Sequence, residues 1–228
     1  MLVVTDGVFS MDGAAANLPG ICELAKRYGA MVMVDDSHAV GFIGPEGRGT
    51  PARYGLEDQI DILTGTLGKA LGGASGGYVS GRSEIISWLR QRARSYLFSN
   101  SLMPAICEAS LAAIDLAESA DDLRHNLSAR TRQLRRGLTD LGFQVLGSDH
   151  PIVPVMTGDA AVAVQIAEFL RAHDILVVPF SYPVVPEGAA RIRMQVSAAH
   201  RADDIEKVIA AFRSAKTDVN WLSPPHEV

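Results

Sequence analysis

The segment from Leu2 to Asp36 constrains the fold more than any other. "LVVTDG" reads as a strand in full flow from the second residue. "NLPGICELAKRYG" then places apolar residues at 18, 21, 22, 25 and 28, with Asn17 set to cap, Pro19 in the first turn and Gly29 as a stop. That spacing predicts an amphipathic helix. "AMVMVDD" is a short apolar run ending in acid, the pattern of a strand buried on both faces of a parallel sheet. Strand, helix and strand within about 35 residues make a βαβ unit, which implies an α/β fold with a mostly parallel sheet and helices on both faces.

Two more strands are expected at "DILTGT" and "GGYVSG". From residue 82 the texture turns helical, with "SEIISWLRQRAR", "PAICEASLAAIDLAESA" and a charged helix over about 121–141. Beyond it, "HPIVPVMTG", a helix over 160–173, "ILVVPF", "ARIRMQVS" and a closing helix bearing Ile205, Val208, Ile209 and Phe212 form a small α+β pattern. The division expected is therefore 1–120 for a large sheet domain and 121–228 for a small C-terminal one, with "WLSPPHEV" a loose tail. A chain that opens inside a sheet is also expected to lack a preceding portion of that sheet.

Composition narrows the partners. The 228 residues carry a net charge of -5 without a basic block, so nucleic acid and anionic membrane are not expected partners. No apolar run approaches a membrane span and the first residues lack a cationic leader, which makes the cytoplasm the expected location. Cys22 and Cys107, each in an apolar helical stretch, read as buried thiols in a reducing compartment. No metal site is expected.

In open α/β sheets ligands gather at the carboxyl ends of strands. "TGTLGKALGG" ends one strand with a single cation, Lys69. A nucleotide-binding P-loop would need glycine at 63 and Ser or Thr at 70, where Leu63 and Ala70 stand. A lysine among small residues can be partly desolvated, which frees its amine for a Schiff base; a solvated loop lysine is the plainer alternative. Asp35 and Asp36 end a strand, where a carboxylate must meet a cation or strong donors, or serve as a cap. A protonated pyridine nitrogen is one such cation. His38 lies three residues beyond Asp35, within reach of the same ligand. Arg191 and Arg193 alternate to one face of a strand, suited to a carboxylate if they point inward and merely solvated if the strand is an exposed edge.

Together "TDGVFSMDG", "VDDSHAVGFIGPEGRGT", "TGTLGKALGGASGGY", "YLFSNSL" and "PVVPEGAARIRMQVSAAH" resemble the α-oxoamine synthases, within the fold-type I pyridoxal phosphate enzymes. The resemblance runs from the start to about residue 213. It implies pyridoxal 5'-phosphate held as a Schiff base by Lys69, with Lys69 and His38 as the catalytic pair. It also implies that Asp35 pairs with the pyridine nitrogen, that Ser10 and His38 orient the ring, and that Thr66 holds the phosphate. Ser99 and Asn100 would reach the neighbouring subunit's phosphate in a homodimer, and Arg193 would clamp the amino-acid carboxylate. The wording is nearest the branch that condenses glycine with acetyl-CoA to 2-amino-3-oxobutyrate. The alternatives are the branch forming 8-amino-7-oxononanoate from a longer acyl donor, and a non-catalytic half that supports a partner polypeptide. Family members carry a segment before "VTDGVFSMDG" with further phosphate contacts and a ring-stacking histidine, so weak cofactor binding and poor turnover are expected of this chain alone.

Overall fold

The computed structural model describes residues 1–72 and 75–219. The tail "WLSPPHEV" and the first Gly-Ala of "GASGGY" lie outside the described residues. Contacts divide the chain into two compact units: Met1–Phe9 with Ala15–Asp121, and Ser10–Ala14 with Asp122 onward. Residues Ser10–Ala14 thus cluster with the C-terminal half rather than with their sequence neighbours.

The chain opens with β1 (Leu2–Asp6), β2 (Val8–Phe9) and β3 (Ala14–Ala15), followed by α1 (Leu18–Tyr28) and β4 (Met31–Asp35). After them come α2 (Thr50–Tyr54), β5 (Ile62–Thr66), β6 (Gly77–Gly81), α3 (Ser83–Arg92), α4 (Arg94–Leu97) and α5 (Pro104–Glu118). The main sheet of the first unit has the order β1-β4-β5-β6. Its first two pairings are parallel and the last antiparallel, so the sheet is mixed but mostly parallel.

Helix α1 forms where the spacing predicts. Asn17 accepts from the Gly20 N–H, Pro19 occupies the first turn, and Gly29 closes the helix at φ 61°, a left-handed conformation that glycine adopts without penalty. Leu18, Cys22 and Ala25 turn inward, and Leu18 and Ala25 join Ala16, Val32 and Val34 in the core of this unit. Strand β4 differs from expectation. Only Val32 and Val34, on one face, are buried, while Met31 is exposed and Met33 half-buried. Cys107 differs too: it is exposed, because α5 buries only Ser110 among the described residues.

The second unit is built from α6 (Asp121–Asp140), β7 (Ile152–Gly158), α7 (Ala160–Ala172), β8 (Val178–Phe180), β9 (Ala190–Gln195) and α8 (Ala202–Asp218). Its antiparallel sheet runs β7-β9-β8, so β9, which carries Arg191 and Arg193, is the central strand and not an exposed edge. Asp159 caps α7 by accepting from the Ala161 and Val162 N–H groups, and Ala163, Ile166, Ala167 and Leu170 line its buried stripe. Phe143, Val153, Val155, Ile192, Ile209 and Phe212 complete a core much larger than that of the first unit.

Candidate functional site

Parallel pairing sets the carboxyl ends of three strands side by side: Asp6 of β1 is in register with Asp35 of β4, and Asp35 with Thr64 of β5. Thr64 Oγ1 donates to Asp35 Oδ2 at 2.8 Å, and the Ser37 N–H donates to Oδ1 at 3.0 Å. Burial alone would raise the Asp35 carboxyl. The Ser37 and Thr64 donors and the Lys69 charge outweigh it and hold the group below its ordinary value. Asp35 is thus kept as a carboxylate, ready for a cationic partner.

Lys69 follows β5. Its Nζ lies 3.1 Å from His38 Nε2, a distance that fits an ammonium donating to a neutral ring or a ring N–H donating to a neutral amine. The expected partial desolvation of Lys69 is not met. The side chain is exposed, since glycine and alanine neighbours give it little cover. Thr66 is half-buried; its Oγ1 donates to the Gly76 carbonyl and accepts from the Gly68 N–H, each at 3.2 Å. Lys69, His38, Asp35 and Thr66 therefore stand in one unit at the ends of β4 and β5.

Ser99 and Asn100 are exposed, between α4 and α5. Ser10 and Arg193 belong to the second unit, where Arg193 Nη1 donates to the Ser10 carbonyl at 3.0 Å. The Arg193 guanidinium lies 4.9 Å from the centre of the Phe180 ring, and burial pushes it below its ordinary value. Arg191 is buried and spent on structure: it pairs with Asp12 and donates to the carbonyls of Met11 and Ala189.

Several neighbours escaped the sequence reading. Thr64 could have been found by aligning the ends of adjacent strands, since it lies two residues before Thr66. Tyr78, opposite Gly65 in the β5–β6 pairing, covers that glycine so closely that a Cβ there would come within 2.5 Å of its Oη. Burial, then the charges of Asp36 and Asp35, push the Tyr78 hydroxyl up. The sequence marks Asp36 as a strand-end acid in need of donors, but nothing in it names Thr50, whose N–H and hydroxyl supply them.

A primary amine beside an imidazole, next to a carboxylate held ionised at strand carboxyl ends, is a donor set that fits pyridoxal phosphate. Residues 1–212 match the model of aminotransferase class I and II. The chain belongs to that family. It is 55% identical over 212 residues to 2-amino-3-ketobutyrate coenzyme A ligase of Escherichia coli K12, covering 93% of this chain and 53% of that protein. Against 8-amino-7-oxononanoate synthase of Marinobacter nauticus the identity is 40% over 217 residues, 95% of this chain and 55% of that protein. A lysine-to-alanine variant of serine palmitoyltransferase from S. paucimobilis, solved with a bound pyridoxal phosphate–myriocin aldimine, matches with a TM-score of 0.92 at 34% identity, over 97% of this chain and 56% of that one. The chain thus has the fold of the fold-type I pyridoxal phosphate enzymes and spans about half the length of these relatives.

Proposed function

We propose that this chain belongs to a pyridoxal phosphate dependent acyltransferase that condenses glycine with acetyl-CoA to give 2-amino-3-oxobutyrate. The observation that carries the reading is the 3.1 Å approach of Lys69 Nζ to His38 Nε2 beside the ionised Asp35. The choice of substrates is supported by 55% identity to the 2-amino-3-ketobutyrate coenzyme A ligase against 40% to the 8-amino-7-oxononanoate synthase.

When bound, pyridoxal phosphate supplies an electron sink that lets the α-carbon of an amino acid give up a proton. Lys69 is the residue that would hold it covalently and then, as a free amine, carry that proton. Asp35 would keep the pyridine nitrogen protonated, which is the work of a carboxylate that stays charged. His38 and Ser10 would orient the ring, Thr66 would bind the phosphate, and Arg193 would take the amino-acid carboxylate as a fork of donors. Ser99 and Asn100 would complete a neighbouring copy's phosphate site in a homodimer. The exposure of both, and of Trp88, Tyr96 and Phe98 nearby in sequence, supports an assembly over an isolated chain. Two free cysteines fit a reducing, cytoplasmic setting.

The test is thiol release from acyl-CoA by the chain supplied with pyridoxal phosphate, over a panel of amino acids and acyl donors. Fastest release with glycine and acetyl-CoA is expected. Preference for a longer acyl donor would move the chain to the oxononanoate branch. Covalent cofactor on Lys69 without any thiol release would favour a supporting half that needs a partner.

A further inference from the structure

Asp36 is wholly shut off from solvent, and the proposed chemistry gives it no task. Its Oδ2 accepts from the Thr50 N–H at 2.8 Å and its Oδ1 accepts from the Thr50 hydroxyl at 2.6 Å. The Asp36 N–H donates to the Thr64 carbonyl at 2.8 Å, and the Asp36 carbonyl accepts from the Ala39 and Val40 N–H groups, each at 2.9 Å. Asp36 therefore ties β5, the turn carrying His38, and the start of α2 together.

The fit leaves no slack. A Cβ on Gly49 would come within 1.8 Å of Asp36 Oδ2, and one on Gly7 within 2.1 Å of Oδ1. Between the two ends of the loop, Gly41, Gly44 and Gly47 all take positive φ, so its path is costly for other residues. A buried carboxylate persists only when its oxygens are bonded, and here a single residue at the far end of the loop bonds both.

We infer that Asp36 and Thr50 form a latch that positions Asp35, immediately before Asp36, and His38, two residues after it in the same turn, relative to Lys69. The inference rests on the reading of Lys69, Asp35 and His38 as the cofactor site. Asp36 acts through its neighbours and is a positioning residue: its backbone bonds hold the turn, and its side chain holds the loop that the turn begins. With the Thr50 bonds lost, the turn keeps its sequence but not its restraint, and the His38 ring can leave Lys69.

The experiment compares the full chain with Thr50→Val, which keeps shape but removes the hydroxyl, and Thr50→Ser, which keeps both donors. Amide exchange and the His38 ring signals are followed by NMR without cofactor, and pyridoxal phosphate affinity by visible absorbance. In Thr50→Val, exchange at Ala39 and Val40 is expected to quicken and affinity to fall, each about tenfold, with the His38 signals displaced. Thr50→Ser is expected to restore all three to within about twofold. A Thr50→Val chain with unchanged exchange and unchanged His38 signals, whatever its melting temperature, overturns the latch. If the unmutated chain binds no pyridoxal phosphate, the cofactor reading fails, while the two cofactor-free measurements still decide the latch. If Thr50→Val does not fold, native-state exchange of the unmutated chain decides: the Thr50, Ala39 and Val40 amides opening together support the latch, and Ala39 and Val40 opening independently of Thr50 overturns it.

Discussion

Asp35 and Asp36 follow one another off the end of β4, yet one is half-buried beneath donors from Thr64 and Ser37 while the other is sealed against Thr50, Gly7 and Gly49. For Asp35, burial is outweighed by hydrogen bonds and by Lys69, and the carboxyl stays below its ordinary value. For Asp36, burial dominates over the Thr50 bonds and the group is pushed up. The same side chain at consecutive positions thus meets opposite electrostatic conditions. Strand alternation accounts for this, since it sends one residue to the ligand end and its neighbour inward. The difference separates a residue suited to chemistry from one suited to holding the frame.

The sharpest way to widen that contrast is Asp35→Asn. Loss of the charge that would keep the pyridine nitrogen protonated is expected to lower turnover about 10²–10⁴-fold, the range for a positioned proton-handling group. Unfolding in urea is expected to change little by comparison. Asp36→Ala should reverse the order. It leaves the buried Thr50 N–H and hydroxyl without acceptors, at about 1–3 kcal/mol for each orphaned donor, read as a lower urea midpoint. A variant of Asp35 that costs more stability than the corresponding variant of Asp36 would break the comparison.

A smaller effect lies in pH. Asp35, with its folded value below 3.8, contributes stability that is present above that pH and is lost as pH falls through the folded value. Asp36, raised above 3.8, contributes stability that is present below that pH and is lost as pH rises through the folded value. With rising pH, the gap in unfolding free energy between the unmutated chain and Asp35→Asn should widen, and that for Asp36→Asn should narrow. Urea titrations across the acid range read both slopes, and parallel slopes would contradict the assignment.

Much of the frame was legible because local rules and tertiary contacts agree along it. Asn17, Pro19 and Gly29 mark α1, and the stop of each strand marks where Asp35, Thr66 and Lys69 stand. What periodicity could not provide was partnership across distance. The Asp36–Thr50 bond spans fourteen positions, and no spacing rule pairs a strand-end acid with a helix-start threonine. Burial was misjudged for related reasons. The apolar part of "AMVMVDD" runs from Ala30 to Val34, yet of it only Val32 and Val34 are buried, and Cys107 sits in an apolar helix whose outer face is exposed. Composition reports what a segment could bury, whereas packing decides what it does bury. The edge-strand reading of Arg191 and Arg193 fell only to sheet order, because a strand's own residues do not say whether it lies at an edge.

The central claim is that Lys69 is the residue that takes pyridoxal phosphate. It is tested most directly by mixing the chain with the cofactor, reducing with borohydride, and locating the label by peptide mass spectrometry. A single pyridoxyl phosphate on the peptide bearing Lys69, absent from Lys69→Ala, is the predicted result. Label spread over Lys26, Lys207 and Lys216 as readily as over Lys69 would contradict it.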